Sequence, residues 1–451
     1  MKDMIKKEAK EMRGVLGRIK RRDLKGNSGQ AIKNSSYNLL TLMVAKGGSL
    51  LFTILLARIL MPELFGLYSL ALSTIIMFTL FSDLGIGSAI MTFIPRSLGK
   101  KKESEAKGYL KLLLKWRCIL TLGTVLTLII LSKFLAESYY QKPIFLALLA
   151  GAFYILITQA LNILEIIFQS VNIFRPSLYK EIIFQTVRII LVPLSIIILL
   201  KNPLDLLLFY IILVLTISYI PGLIYLLISR RKINFLSKRE KKPSSEQKNK
   251  LIKFILPLSA MTLSGLLFGY IDMIMLGKFV SGEFIGYYSV SLNTLGTILA
   301  IIASPIVALF PIFGRISKEQ LERGFRKSRK TILYISVFTF IIAFLLASPI
   351  VRIIYGNAYS PAINLFRILS LLILSFPLSS LYQTYYLSQV KSKIVAISLI
   401  SSTILNIILT YLLITALASR GGYYSTIGAA IASVISRYIY LALLIIFRKK
   451  G

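Results

Sequence analysis

Three cations sit where a membrane-spanning chain has least reason to carry them. Lys46, Arg188 and Arg437 each fall near the middle of a long apolar stretch. Asp83, Asp272 and Glu165 lie within other such stretches. An ionised group at mid-bilayer costs about 2.5–3.5 kcal/mol or more, so it turns toward a cavity or a partner. Cations held at depth favour an anionic ligand, because opposite charges attract strongly at low dielectric. Arg and Lys are the usual partners of phosphate. Lys46 and Arg188 cannot easily reach water from mid-span, so a cavity is the reading for both. Arg437 is open between a cavity and helix packing, since its stretch Gly428–Ser436 is rich in Gly, Ala and Ser. Asp272 is open between pairing with Lys278, under two turns away, and a functional role. Glu165 reads as pairing with a basic residue near a span end. Arg117, Lys115 and Arg367 read as snorkelling to an interface. Uncharged groups that could share a cavity are Asn38, Gln159, Asn162, Gln185, Asn293, Gln383 and Asn406.

Other chemistries are excluded by what is absent. The 451 residues include no histidine and one cysteine, Cys118. No His-based general base, no Cys-based metal site and no intrachain disulfide can be built. No catalytic or metal-ligating set stands out, and the reading is not an enzyme.

The elements that must carry these groups are transmembrane helices. Hydrophobic residues make up 56% of the chain, above the 45–50% usual in soluble domains. They are grouped in blocks, and a helix needs roughly 20 such residues to cross the hydrocarbon. The pattern predicts twelve spans, near 37–57, 65–94, 110–131, 144–170, 177–200, 205–228, 253–277, 285–312, 330–351, 362–387, 393–416 and 424–447.

The net charge is +36. In a soluble chain that would suggest nucleic acid, but here the basic residues alternate between loops. Of 54 Lys and Arg, 41 lie in one set of inter-span segments, 7 in the other and 6 within spans. The positive-inside rule then predicts both termini in the cytoplasm and an even span count. No nucleic-acid partner is expected. Residues 1–36 are polar and basic and do not read as a secretory signal. They are expected to form a basic cytoplasmic segment, flexible or lying at the interface as a helix. Tyr139-Tyr140, Tyr287-Tyr288 and Tyr423-Tyr424 fall at outer ends, as an aromatic belt would.

The halves repeat. Glu63, Gly66, Tyr68 and Ser69 return as Glu283, Gly286, Tyr288 and Ser289, at an offset of 220. Pro95, Gly108 and Lys111 return as Pro311, Gly324 and Lys327, and Ser170 returns as Ser388. The expected organisation is a basic segment 1–36, a six-helix bundle 37–229, a flexible cytoplasmic linker 230–252, a second bundle 253–447 and a tail 448–451. Two six-span halves share an orientation, so a pseudo-two-fold axis runs along the membrane normal, with a site expected at the seam. Arg188 then corresponds to Asn406, which predicts an unequally charged cavity.

The segments Ala57–Ser69, Phe81–Ala89 and Phe93–Arg96 resemble the first two spans of the O-antigen-type oligosaccharide flippases, in the polysaccharide branch of the multidrug/oligosaccharidyl-lipid/polysaccharide superfamily. So do Asp272–Gly277, Gly286–Ser289, Leu387–Gln389, Asn406–Leu409 and Ile427–Ala432. The resemblance covers the chain after residue 35. It implies a plasma-membrane (inner-membrane) transporter of a polyprenyl- or dolichyl-(di)phosphate-linked oligosaccharide, inner to outer leaflet, by alternating access in a V-shaped pair of six-helix bundles. Implied partners are that lipid-linked oligosaccharide, membrane lipids and glycosyltransferases of the same pathway. No cofactor is expected beyond a coupling cation, Na+ or H+, with Asp83 and Asp272 as candidates for coupling or gating. The rivals are a cation-coupled multidrug exporter of the same fold and a membrane glycosyltransferase or polymerase. The first lacks acids at depth, and the second lacks a carboxylate cluster on a sizeable outer loop.

Overall fold

The computed structural model describes residues 26–314 and 316–450. The expected basic segment 1–36 lies largely outside them. Among the described residues all regular structure is helical. Eleven continuous stretches are long and apolar enough to cross a membrane. The first, 36–83, has 48 residues, about 70 Å of helix at 1.5 Å per residue and twice what one crossing needs. It reverses at Met61, whose φ of 60° is left-handed, with Pro62 starting the next helix. It therefore holds two spans, and the total is twelve. This is a multi-pass membrane protein with a twelve-helix fold.

In chain order the helices are α1 (26–60), α2 (62–83), α3 (Ile86–Gly99), α4 (Glu103–Lys133), α5 (Phe145–Ser170), α6 (Arg175–Leu199), α7 (Leu204–Ile217) and α8 (Ile220–Ser229) in the first half. The second half has α9 (Ser245–Phe279), α10 (Gly282–Phe313), α11 (Lys318–Leu345), α12 (Ala347–Tyr355), α13 (Ala362–Ser370), α14 (Leu372–Ser388), α15 (Ser392–Leu417) and α16 (Gly422–Lys450). Several spans are broken rather than straight. The second is split at Leu84-Gly85, with φ of 40° and 81°, into α2 and α3. At the end carrying the basic loops, α9 and α11 begin with capping boxes, Ser244 with Gln247 and Ser317 with Gln320. Each satisfies two backbone donors that the first turn leaves open.

Backbone geometry carries the duplication further than the sequence did. Asn172 and Val390, 218 apart, both have φ near 60°. Around them the hydrogen bonds repeat: Ile173 N to Phe168 O and Lys391 N to Tyr386 O. Gln141 and Gly356 both have positive φ at the other end, although their ψ angles differ. Thr74 with Tyr140 (2.9 Å) is matched by Thr294 with Tyr355 (2.7 Å).

The halves meet along α2 and α10 at the end opposite the basic loops. Ser289 donates to Ser69 at 2.9 Å. These are counterparts in the repeat, so the pseudo-two-fold axis passes between them. The glycines of the repeated motif make this crossing possible. A Cβ on Gly66 would stand 1.8 Å from Gly282 O, and one on Gly286 would stand 2.1 Å from Pro62 O. The seal continues outward in matched pairs. Tyr359 donates to Ala57 O at 2.9 Å, and Lys142 donates to Gly277 O at 2.6 Å. Arg58 also donates to Ile354 O at 2.8 Å. Burial pushes the Lys142 ammonium below the ordinary lysine range.

At this sealed end one apolar core is shared by both halves, running from Leu56, Phe65 and Leu70 to Ile285, Tyr288 and Phe366. Toward the basic end the core divides. One part gathers Ile90, Leu113 and Phe168 of the first half, with the start of α9. The other gathers Ile306, Phe325 and Leu444 of the second.

Two expectations are corrected. Tyr140, Tyr287 and Tyr288 are buried, not arranged as a belt. Their hydroxyls are used by Thr74, Glu283 and Asp272 instead. The linker is not a free loop. Lys241 N donates to Ser104 O at 2.9 Å, and Lys107 Nζ donates to Lys238 O at 2.6 Å. Glu240 meets Lys111 at 2.8 Å, and that lysine holds its carboxyl below the usual range. Gly108 leaves room for the seat, since a Cβ there would be 1.8 Å from Lys241 O.

Candidate functional site

The charged groups at depth form three clusters. The largest runs along one face of α6, which starts with Pro176 in its first turn. Lys180 lies 2.9 Å from Glu165 of α5 and 2.9 Å from Glu181. Gln185 donates to Glu181 at 2.6 Å, and Arg188 Nε donates to the Gln185 amide oxygen at 2.9 Å. Positions 181, 185 and 188 are one turn apart each, so a helix stacks them on one face. The Arg188 guanidinium ends between Phe52 of α1 (4.5 Å) and Phe184 (4.7 Å). Arg188 is buried, and its Nη2 has no hydrogen-bond partner among the described residues. The α1 helix comes close here because Gly48 has no side chain to strike Gln185. Gln185 also reaches Ala45 O at 3.4 Å. The next residue, Lys46, is exposed.

The second cluster closes over the break in the second span. Arg117, only 1% exposed, pairs with Asp83 at 3.1 Å. It also donates to Gln159 and Asn162, each at 2.8 Å. Asp83 in turn accepts from Gly87 N at 2.9 Å, which ties the start of α3 back to α2.

The third cluster lies in the second half. Buried Asp272 accepts from Tyr288 at 3.0 Å, Thr410 at 3.1 Å and Ser433. Asn406 donates to Thr410 at 3.4 Å, while its own amide oxygen is buried with no hydrogen-bond partner among the described residues. Arg437 donates to Phe268 O at 3.0 Å and stands 3.8 Å over the Phe268 ring. It borders a cavity of about 150 Å³ with Gln383, Ser379, Ser380 and Gly265.

Several expectations change. Arg117 does not snorkel: it is sealed inside the first bundle, and Gln159 and Asn162 are its partners. Arg367 is half-buried, 5.7 Å over the Phe344 ring. Asp272 does not pair with Lys278, which sits 5.2 Å over the Tyr139 ring. Arg188, Glu165 and Gln185 come together, and so do Asp272, Asn406 and Arg437. Asn38, Lys46 and Asn293 are exposed and join no cluster. Glu181 and Lys180 were missed. The signal was there, in the spacing of Glu181 to Gln185 to Arg188 on one helical face.

A solved multidrug-resistance transporter of the MATE family, in an inward-facing conformation, superposes with a TM-score of 0.70 at 14% identity, covering 91% of this chain and 95% of its own. The lipid II flippase MurJ, in an inward closed conformation, gives 0.68 at 16% identity over 93% and 87%. A MOP-superfamily transporter from Pyrococcus furiosus gives 0.60 at 14% over 94% and 97%, and its binding pocket is described as having reverse polarity. At these identities the likeness establishes the fold: two six-helix bundles with the architecture of the MOP superfamily. The model of the family described as "Polysaccharide biosynthesis protein" matches residues 31–317. The chain belongs to that family. No curated protein sequence matches it.

Proposed function

We propose that this protein moves a polyprenyl- or dolichyl-(di)phosphate-linked oligosaccharide from the cytoplasmic to the outer leaflet of the cell membrane. The observation that carries this reading is the division of the core. One core joins the halves at the end opposite the basic loops, and two separate cores stand at the basic end. Basic loops mark the cytoplasmic side, so the bundles part toward the compartment where lipid-linked sugars are built, except where the start of α9 packs on the first half through Phe254 on Phe93 and Ser259 on Leu84 O. Arg188 Nη2 and Lys46 supply cationic donors for the phosphate. The sugars occupy the polar seam and the lipid tail stays in the bilayer. Separation of α2 from α10 at the sealed end completes the exchange.

Asp272 is the better candidate for a coupling cation than Asp83. It gathers Thr410, Ser433 and Tyr288 hydroxyls and is linked through Thr410 to the Asn406 amide. Such an oxygen set suits Na+, and a carboxylate suits H+. Asp83 is already neutralised by Arg117. Export of cationic drugs is less well supported, because Glu165, Glu181, Asp83 and Asp272 are all engaged with protein partners.

The test is flipping of a labelled lipid-linked oligosaccharide in vesicles by Lys46→Ala, Arg188→Ala and the double variant. Loss of one strong charged contact costs about 1.5–3 kcal/mol, so each single variant should slow flipping by about tenfold or more. Normal expression with the wild-type rate in all three would refute the assignment.

A further inference from the structure

A cavity of about 390 Å³ opens at the basic end of the second half, well away from the seam. Helices α11, α14 and α16 form it, and no residue of the first half lines it. Its walls combine Tyr382, Tyr385 and Tyr386 with the cations Arg329, Lys391 and Arg448. One carboxylate is present, Glu322, and it is already satisfied. It pairs with Arg448 and accepts from Tyr385 at 2.7 Å. Arg448 is further fixed 3.9 Å over the Phe325 ring. The side chains of Arg329 and Lys391 have no hydrogen-bond or ion-pair partner among the described residues, so two positive charges remain uncompensated.

The duplication shows that this lining is a departure. At the 218 offset, Tyr382, Tyr385, Tyr386, Gln389 and Lys391 correspond to Leu164, Ile167, Phe168, Val171 and Ile173. In the first half those positions belong to an apolar cluster that is closed over by Ile233 and Phe235 of the linker. The same turn, with the same hydrogen bonds, therefore frames a filled core in one half and a basic, tyrosine-lined cavity in the other. The remaining walls, Ile316, Leu321, Ile445 and Phe447, are apolar. The ligand must suit both surfaces at the depth where basic loops meet the bilayer.

We infer that this cavity binds the phosphate-bearing headgroup of an anionic membrane lipid, with Arg329 and Lys391 on the phosphate and the apolar wall against the first methylenes. Basic pockets between helices at this depth suit such headgroups, and a phosphate accepts charge-assisted hydrogen bonds from both cations. Inorganic phosphate shares the chemistry of the headgroup but lacks the apolar part. The site is independent of the transported substrate.

The experiment is native mass spectrometry of the full chain after exchange into mixed micelles of phosphatidylglycerol and phosphatidylcholine. The wild type should retain phosphatidylglycerol in preference. Arg329→Gln with Lys391→Gln should weaken that retention roughly tenfold. A control pair at the opposite end, Lys133→Gln with Lys201→Gln, removes the same charge and should leave retention unchanged. Equal retention of both lipids by the wild type would overturn the inference, as would wild-type retention by the Arg329/Lys391 variant. Displacement of the lipid by inorganic phosphate at equal concentration would show that the cavity reads phosphate alone, which overturns the lipid assignment. A fall in flipping by Lys46 and Arg188 variants would leave these outcomes untouched.

Discussion

Adding one methyl group at Gly66 should drive the sealed end open. In the structure α2 crosses α10 so closely that a Cβ at residue 66 would stand 1.8 Å from Gly282 O and 2.6 Å from Gly286 N. Both are backbone atoms, so no side chain can swing aside. Ordinary contact begins near 3.4 Å, and the two helices must retreat by roughly 1.5 Å. Overpacking of this kind costs about 1–3 kcal/mol. That cost falls only on the conformation in which α2 and α10 touch, because the methyl has nothing to strike once they part. A difference of 1–3 kcal/mol shifts a two-state equilibrium by about 5–150-fold. The assay is labelling of a cysteine at Ser69, in a Cys118→Ser background, by a membrane-impermeant thiol reagent added on the outer side. Ser69 is buried against Ser289 on the pseudo-two-fold axis, so labelling reports separation there. Gly66→Ala should raise the labelling rate by that factor, and Gly286→Ala should act alike. Gly47→Ala, where nothing lies within 4 Å of an added Cβ, should not change it. Folded Gly66→Ala protein that labels at the wild-type rate would refute the claim that this crossing is the seal.

Two further outcomes follow from the buried charges and the repeat. Asp272→Asn replaces the carboxylate that accepts from Tyr288, Thr410 and Ser433 by an amide with a single acceptor oxygen and should lower stability by about 1.5–3 kcal/mol, read as thermal unfolding; an unchanged unfolding temperature would show that these hydroxyls do not depend on the charge. Val390 is 89% exposed at φ 60°, where a β-branched residue is strained; Val390→Asn, copying Asn172 of the first half, should stabilise by about 1 kcal/mol, and an unchanged unfolding temperature would show that the turn relaxes.

The spans and their duplication were legible because both are written locally. Twenty apolar residues need no knowledge of their neighbours, and loop charge alternates along the chain. The repeat in Gly66 and Gly286 even marked the contact that seals the halves, although the sequence alone did not say that the two copies touch each other. What could not be read was pairing between helices. Arg117 sits a few residues inside its span, which suits snorkelling. Only the fold shows Asp83, Gln159 and Asn162 converging on it from the second and fourth spans. Tyr140, Tyr287 and Tyr288 were misplaced for a related reason: a phenol suits a membrane interface and a buried hydroxyl network equally well, and position in the chain does not separate them. The linker looked flexible by composition, yet Gly108 and Lys111 on α4 were shaped to receive it.

The duplication also changes what the charges at depth mean. Arg188 of the fifth span corresponds to Asn406, which had suggested that one half carries more charge. At the same offset, however, Arg437 of the twelfth span corresponds to Tyr219, which stacks on Phe184 at 3.7 Å beside Arg188. Arg188 and Arg437 thus come from different helices of the two halves, and each lies over an aromatic ring. At the offset of 220 that relates the first spans of the two halves, Phe52 under Arg188 is the counterpart of Asp272. The carboxylate stands in the first-helix position of one half, and an aromatic ring stands there in the other. Taken cluster by cluster, the charges are equal in number: Lys180 and Arg188 with Glu165 and Glu181, Arg117 with Asp83, and Arg437 with Asp272, although Arg437 and Asp272 make no ion pair with each other. Lys46 is the mid-span cation outside these balanced sets, and Arg188 Nη2 is a donor left open within one of them. A phosphate entering between the bundles would therefore meet one unmatched charge and one free hydrogen-bond donor, on α1 and α6, rather than a uniformly cationic cavity. That arrangement can hold an anion without trapping it. Arg188 stays tethered to Gln185, and Glu181 reaches the guanidinium only by way of that amide.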